Sequence, residues 1–154
     1  YRQGRITRPL HIIGDGVLRA QLEEEVARDK LPVTFLGYQD RAGVDAAMAS
    51  AFALVVPSYY ETQPMVAFEG AAWALPVISY EPAAVGDAVA PSNAPFAMAP
   101  DPAALGRAMA KLSDDPDRAW AIGSDNLTHH RAGGRYERMI DDYINLYNSV
   151  AANS

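Results

Sequence analysis

The chain has 154 residues, of which 49% are apolar and 21% charged, and this composition is typical of one globular domain with a substantial core. Its formal net charge is −6 and its basic residues form no cluster, which disfavours a nucleic-acid surface and a basic membrane patch. The absence of cysteine excludes disulfides and thiolate metal sites, and no apolar run reaches the roughly 18 residues of a spanning helix.

Short apolar runs alternate with segments of helical spacing over the first half of the chain. Four runs are predicted strands, at residues 10–13, 32–37, 52–56 and 76–80. Helical spacing covers residues 17–29, Asp40 is the predicted N-cap of a helix through Ser50, and Pro64 suits the first position of a third helix. This order predicts βαβ units and a parallel sheet with right-handed crossovers, an α/β fold.

The second half of the chain is mainly helical. Residues 95–98 are a predicted short fifth strand, and helices are expected at 102–112, 117–130 and 136–150, the first capped by Asp101. We expect these helices to cover the sheet, and the apolar stripe of the last one to lie in the core; docking on a neighbouring domain is the alternative. The stripe consists of Tyr136, Met139, Ile140, Tyr143, Ile144, Tyr147 and Val150.

Glycines follow the first two predicted strands. Gly14, Asp15 and Gly16 occupy the place of a dinucleotide fingerprint, but Arg19 stands where the third glycine belongs and no acid follows about 20 residues on. This disfavours a nicotinamide or flavin site and leaves two interpretations, a turn beside a phosphate or a structural turn. Gly37 and Tyr38 either offer backbone groups to a nucleobase or form an ordinary strand-to-helix turn.

Two glutamates frame the start of the third helix. Glu61 lies in the loop after the third strand, at the sheet edge where α/β folds bind ligands, and Glu69 lies inside an apolar helix. A fixed Glu61 carboxylate can accept hydrogen bonds from sugar hydroxyls or stabilise positive charge at an anomeric carbon, and the alternative is an exposed loop acid that favours the helix dipole. If Glu69 is buried it needs a partner, because a buried lone acid is costly, and a ribose diol or an ion pair would supply one; the alternative is a solvent-facing side of the helix. A helix N-terminus suits phosphate, so the pattern favours a sugar nucleotide.

Two further patterns have little weight. His11 lies in a predicted strand, and His129 and His130 are adjacent and face different directions on a helix, so no metal site is predicted. The triplet at 126–128, Asn-Leu-Thr, matches a glycan-acceptor pattern but falls on a predicted helix.

Taken together, these motifs resemble the carboxyl-terminal half of retaining glycosyltransferases of the GT-B fold, the glycogen-synthase and mannosyltransferase-like group (glycosyl transferases group 1). The likeness covers residues 10–147, nearly the whole chain. The matching segments are residues 10–16, 33–37, 56–69, 75–78, 101–105 and 114–116. The two-glutamate motif with its flanks is the specific part, whereas the separate glycines are not.

The resemblance implies a Rossmann-like domain that binds a nucleotide-diphosphate sugar, with no cofactor and no metal ion. By likeness to the family, Glu61 would be the catalytic residue that contacts the transferred sugar, and Glu69 would hold the ribose. Other donor-binding positions are implied at Gly14, Asp15 and Gly16 for phosphate, Gly37 and Tyr38 for the base, and Thr62, Gln63, Pro64, Met65 and Val66 for the sugar and diphosphate.

The sequence departs from the family pattern at three positions. Thr62 replaces a frequent glycine, Gly70 a frequent alanine, and Ala74 the usual glycine before Leu75. In the family, an Arg/Lys pair contacts the diphosphate. No such basic pair stands in a matching context in this sequence. We therefore expect a single-domain fragment, 1–154, that lacks its first βα unit and the N-terminal acceptor domain.

Alone, such a fragment is expected to be inactive. Within a longer chain it would act as a hexosyltransferase that passes a sugar, with retention, to a glycan or lipid. We expect it in the cytoplasm, with peripheral membrane contact only through the missing part. The alternatives are a non-catalytic GT-B-like binding or assembly module and a sugar-nucleotide epimerase.

Overall fold

The computed structural model describes residue 6 and residues 8–81, 85–133 and 136–152. Its strands are β1 Leu10–Ile13, β2 Val33–Gly37, β3 Leu54–Val56, β4 Val77–Tyr80 and β5 Ala97–Met98. Its helices are α1 Arg19–Asp29, α2 Arg41–Ser50, α3 Met65–Ala72, α4 Pro102–Ser113, α5 Pro116–Gly133 and α6 Tyr136–Ala152, with short 3-10 helices at Val85–Ala88 and Pro91–Phe96. The predicted alternation of strands and helices is confirmed.

Every strand pair in the described structure is parallel. β1 pairs with β2, and β4 lies between β3 and β5, so hydrogen bonding divides the strands into two sheets. Because parallel strands share a direction, the loops that follow them gather at one edge of each sheet. The turns after β1 and β2 and the loop between β3 and α3 lie at these edges, and Glu69 follows inside α3.

Four predicted strands begin before the observed ones, by one residue at β2 and β4 and by two residues at β3 and β5. Phe52 and Ala53 precede β3 without joining it, although both pack against the core cluster that contains Ile78. Pro95 and Phe96 belong to a 3-10 helix, since proline donates no backbone hydrogen bond, and only the last two residues of the predicted segment form β5. Apolar composition marked the core correctly but not the hydrogen bonding.

The core surrounds β4, all four residues of which are buried. Side chains of β3, β4, α3 and the first 3-10 helix form one cluster, comprising Val56, Ala67, Val77, Val85, Ala88 and Val89. Side chains of β4, α4 and α5 form another, comprising Ile78, Phe96, Leu112, Ala119 and Ile122. α4 and α5 therefore cover the sheet, as predicted, and α3 is fixed on its other face.

A buried pair of asparagines ties α5 to β4. Asn126 and Asn93 are both fully buried, and Asn126 Nδ2 donates to Asn93 Oδ1 at 3.0 Å. Asn93 also exchanges hydrogen bonds with the backbone of Val77, while Asn126 accepts from Ala90 N and donates to Leu75 O, each at 2.9 Å. Burial of Asn126 removes the glycan-acceptor interpretation of its triplet.

α5 also approaches the turn before β4 very closely. A Cβ at Gly123 would overlap the carbonyl oxygen of Ala74, so only glycine fits there. Ala74 itself has φ of 56°, in the left-handed region that favours glycine. The glycine usual in the family at this position therefore has a conformational reason, and alanine adopts the same turn here at some cost.

The interpretation of α6 as a core helix is wrong for its described side chains. Ile140, Tyr143, Ile144, Tyr147 and Val150 expose between 38% and 69% of their surface, although Tyr143 and Tyr147 stack on each other. Two members of the predicted stripe, Tyr136 and Met139, have side chains outside the described residues. Helical periodicity identifies an apolar face but does not show that a partner covers it.

The first βαβ unit, residues 10–37, is also lightly packed. α1 contains no buried residue, and Gly37 is the one buried residue of β1 and β2.

None of the helices within the described ranges is long and apolar enough to cross a bilayer.

Candidate functional site

The turns after β1 and β2 meet through their glycines. Gly14 has φ of 114° and donates its N–H to the carbonyl of Gly37, at 2.8 Å, and Gly37 has φ of 68°. Both values lie in the left-handed region, so glycine is required for this geometry. The predicted phosphate turn and the predicted base turn are thus neighbours.

An arginine lies over this pair of turns. A Cβ at Gly37 would lie 3.0 Å from Arg19 Nη1, so the guanidinium packs directly on the glycine. Arg19 is held by Glu23 at 2.8 Å and by Asp15 at 3.3 Å, and these hydrogen bonds raise its pKa above the usual value, Glu23 most strongly. Asp15 also accepts from Gly16 N at 2.8 Å, and the backbone bond from Arg19 N to Gly16 O, at 3.0 Å, closes the turn.

The loop between β3 and α3 supplies a helix N-terminus without a side-chain cap. α3 begins at Met65, directly after the buried Pro64, and no side chain bonds to its first N–H groups. Such groups point along the helix axis and carry partial positive charge. The start of α3 can therefore accept an anionic ligand.

Glu61 is fixed within this loop. Its side chain is half-buried, and Oε1 accepts a hydrogen bond of 2.8 Å from the hydroxyl of Ser58. Ser58 lies just after β3, so the carboxylate is tied to the end of the strand. Glu61 therefore does not extend freely into solvent.

Glu69 is held from a different part of the chain. Its side chain is 31% exposed on α3, and Oε1 accepts a hydrogen bond of 2.5 Å from Arg41 Nη1 on α2. Arg41 in turn donates through Nε to Asp45 Oδ2 at 3.0 Å. The hydrogen bond to Asp45, followed by that to Glu69, raises the pKa of Arg41 above its usual value.

Aromatic rings flank the same edge. Tyr59 follows β3 and is exposed, and its ring centroid lies 5.4 Å from that of Tyr80, the buried last residue of β4. Burial, and then the neighbouring Tyr59 and Asp101, raise the pKa of Tyr80 above 10.0. The hydroxyl oxygen of Ser79, the preceding residue, is buried and forms no hydrogen bond within the described residues.

The family model for glycosyl transferases group 1 matches residues 2–115, about three quarters of the chain. The chain belongs to this family. The match covers the glycine turns, both glutamates and α4, so a glycosyltransferase domain of the GT-B fold is the setting of the whole site.

Similar proteins share the family and the fold but are much longer. The glycogen synthase of Mycobacterium tuberculosis is 28% identical over 137 residues, which are 87% of this chain and 31% of that protein. The chain therefore spans about a third of the curated relatives it matches.

Solved structures of glycosyltransferases superimpose on this domain. A sucrose-phosphate synthase from Thermosynechococcus elongatus has a TM-score of 0.76 at 28% identity, covering 94% of this chain and 39% of that one. TarM of S. aureus, in a complex with UDP, has a TM-score of 0.79 at 17% identity, covering 91% and 29%. At this low identity the second likeness shows the fold alone.

In this glycosyltransferase domain, the predicted donor residues fall into two groups. Glu61, Glu69 and the glycine turns are fixed by hydrogen bonds, and Pro64 is buried. The remaining residues have exposed side chains and can serve through their backbone or surface, namely Tyr38, Thr62, Gln63, Met65 and Val66. The Arg41–Glu69 bond joins α2, which follows β2, to α3, which follows β3, and so links the two sheets.

Sequence reasoning missed three side chains that organise the site: Arg19, Arg41 and Ser58. Ser58 precedes Glu61 by three residues, a spacing from which its hydrogen bond could have been anticipated. Arg41 is 28 residues from Glu69, and no local pattern predicts that pairing. The described part of the chain contains no cluster of histidines and acids that could hold a metal ion.

Proposed function

We propose that this domain binds a nucleotide-diphosphate sugar for retaining glycosyl transfer. One observation carries the proposal: two half-buried carboxylates, Glu61 and Glu69, lie on either side of an uncapped helix N-terminus at the carboxyl edge of β3. Carboxylates accept hydroxyl hydrogen bonds, and the helix start accepts phosphate. A sugar, a diphosphate and a ribose present these groups in that order.

The diphosphate would lie against the start of α3, facing the turn of residues 14–16. Backbone N–H groups at Met65 and Val66 and the positive end of the helix dipole would stabilise its charge. The base would meet the backbone of Gly37 and the exposed ring of Tyr38. TarM of S. aureus, which shares this fold, was solved with UDP, and that complex supports a nucleotide of this class.

Glu61 is our candidate for the catalytic residue. Ser58 holds one carboxylate oxygen, which leaves the other free to accept a sugar hydroxyl or to stabilise positive charge at the anomeric carbon. The leaving diphosphate gains its stabilisation from the helix N-terminus, so the proposal needs no metal ion or other cofactor.

The full reaction is proposed for a longer protein. The chain spans 31% of the length of the glycogen synthase it matches, and transfer requires an acceptor as well as a donor. We propose a glycan or lipid acceptor held by a second domain, which closes on this one to exclude water.

Calorimetric titration of the intact protein with UDP-, GDP- and ADP-sugars tests the proposal. Loss of a hydrogen bond to a charged acceptor costs about 1.5–3 kcal/mol, so Glu69→Ala should weaken the preferred donor roughly 10- to 100-fold. Glu24→Ala, on the exposed face of α1, is the matched control and should bind as the wild type does. Equal affinity of Glu69→Ala and wild type would refute the ribose role, and no binding of any donor would refute the function.

A further inference from the structure

We infer that Arg41 is a positioning residue that orients the Glu69 carboxylate for the nucleotide ribose, an inference that rests on the proposed function. The geometry is a relay of three side chains. Asp45 holds the guanidinium from within α2, and the guanidinium holds Glu69 Oε1 across the gap to α3.

The contact with Arg41 leaves the second carboxylate oxygen of Glu69 available to a ligand. Arg41 Nη1 contacts Oε1, and within the described residues no hydrogen bond is formed by Oε2. A carboxylate has about four lone-pair sites, so both ribose hydroxyls can be accepted while the arginine stays bound. Asp45 already restrains the guanidinium, so Arg41 loses little side-chain freedom when it fixes Glu69, and the carboxylate is pre-organised.

Position supports the same role. Arg41 opens the helix that follows the Gly37–Tyr38 turn, with Asp40 capping that helix through Gly43 N at 2.8 Å. The guanidinium therefore reaches Glu69 from the side on which the base is proposed to lie. With 64% of its side chain exposed, Arg41 contributes little to the core, and its replacement should leave folding intact.

The test measures discrimination between ribose and deoxyribose rather than affinity alone. The intact protein is titrated with UDP, GDP and ADP, and then with the 2′,3′-dideoxy form of whichever binds. We expect Arg41→Met to weaken the ribonucleotide about 3- to 10-fold and to leave the dideoxy form nearly unchanged. Arg41→Lys should recover part of the loss, because lysine keeps the charge but not the planar fork.

Two controls separate this inference from simpler ones. Arg28→Met removes an arginine of matched exposure, 63%, whose ion-pair partner Asp29 lies at the far end of α1, and should change no affinity. In a Glu69→Gln background, Arg41→Met should have no further effect, since the two residues then act as one unit.

Other outcomes overturn the inference. Tighter ribonucleotide binding by Arg41→Met would make the arginine a competitor of the ribose, and an equal loss for the ribo and dideoxy forms would make it a structural residue. An unchanged Arg41→Met beside a weakened Glu69→Gln would remove this inference and keep the proposed function. If the wild type binds none of these nucleotides and none of the nucleotide sugars, both fail.

Discussion

Replacement of Asn126 by alanine should lower the free energy of unfolding by more than a typical single substitution does. Asn126→Ala removes the partners of Ala90 N–H and Leu75 C=O, both of which lie on buried residues. Each buried group left unsatisfied costs about 1–3 kcal/mol. Taking about 4 kcal/mol for the two, and returning up to about 0.7 kcal/mol for the better helix propensity of alanine, leaves a loss of about 3 kcal/mol.

Urea unfolding followed by circular dichroism measures this loss. With a slope of about 2 kcal/mol per molar for a chain of this size, the midpoint should fall by about 1.5 M. Asn126→Asp should be at least as damaging, because a carboxylate cannot donate to Leu75 O and would face Asn93 Oδ1. The matched control is Asn145→Ala on the exposed face of α6, which should shift the midpoint little.

The reasoning fails if Asn126→Ala and Asn145→Ala lower the midpoint equally with unchanged slopes. That result would mean that the buried amide contributes no more than an exposed one. A changed slope in Asn126→Ala would instead indicate that α5 has detached from the remaining structure, which also contradicts a local loss of hydrogen bonds.

Two further predictions concern the same core. Gly123→Ala should lower the free energy of unfolding by about 3 kcal/mol, because the new methyl group overlaps the carbonyl of Ala74. Gly106→Ala, with open space around it, should instead stabilise α4 by up to about 1 kcal/mol. Urea midpoints that move alike in both variants would contradict the close approach of α5 to Ala74. Burial raises the pKa of Tyr80, so the folded state favours the protonated phenol, and stability that is complete below about pH 10 should be lost as pH rises through the folded pKa. Midpoints at pH 8 and pH 11 should fall more for the wild type than for Tyr80→Phe, with the exposed Tyr60→Phe as control, and parallel falls in all three would remove Tyr80 as the cause.

Local chemistry was predictable from the sequence. Asp40 and Asp101 cap α2 and α4 as their spacing indicates, since each carboxylate meets N–H groups two or three residues away. The alternation of apolar runs and helical segments also gave the parallel α/β order. These features depend on a few consecutive residues, so a single sequence contains them.

Long-range pairing was not predictable. Asn93 and Asn126 are 33 residues apart, and Arg41 and Glu69 are 28 residues apart. No periodic pattern in the sequence connects the two members of either pair. The apolar stripe of α6 shows a related limit. Spacing identifies an apolar helix face, but it does not show which part of the protein, if any, packs against that face. The carboxylates proposed for the site were named from sequence, but the side chains that hold them in place were not.

The light packing of residues 10–37 gives the domain two tiers of local stability. Amide hydrogens of β1 and β2 should exchange with solvent through openings that cost far less free energy than those of β4, which is buried throughout. A nucleotide that touches both the Gly14–Gly37 turns and α3 would slow exchange mostly in the weaker tier. Binding energy would then be spent partly on ordering that unit, which lowers affinity but makes its conformation responsive to the ligand.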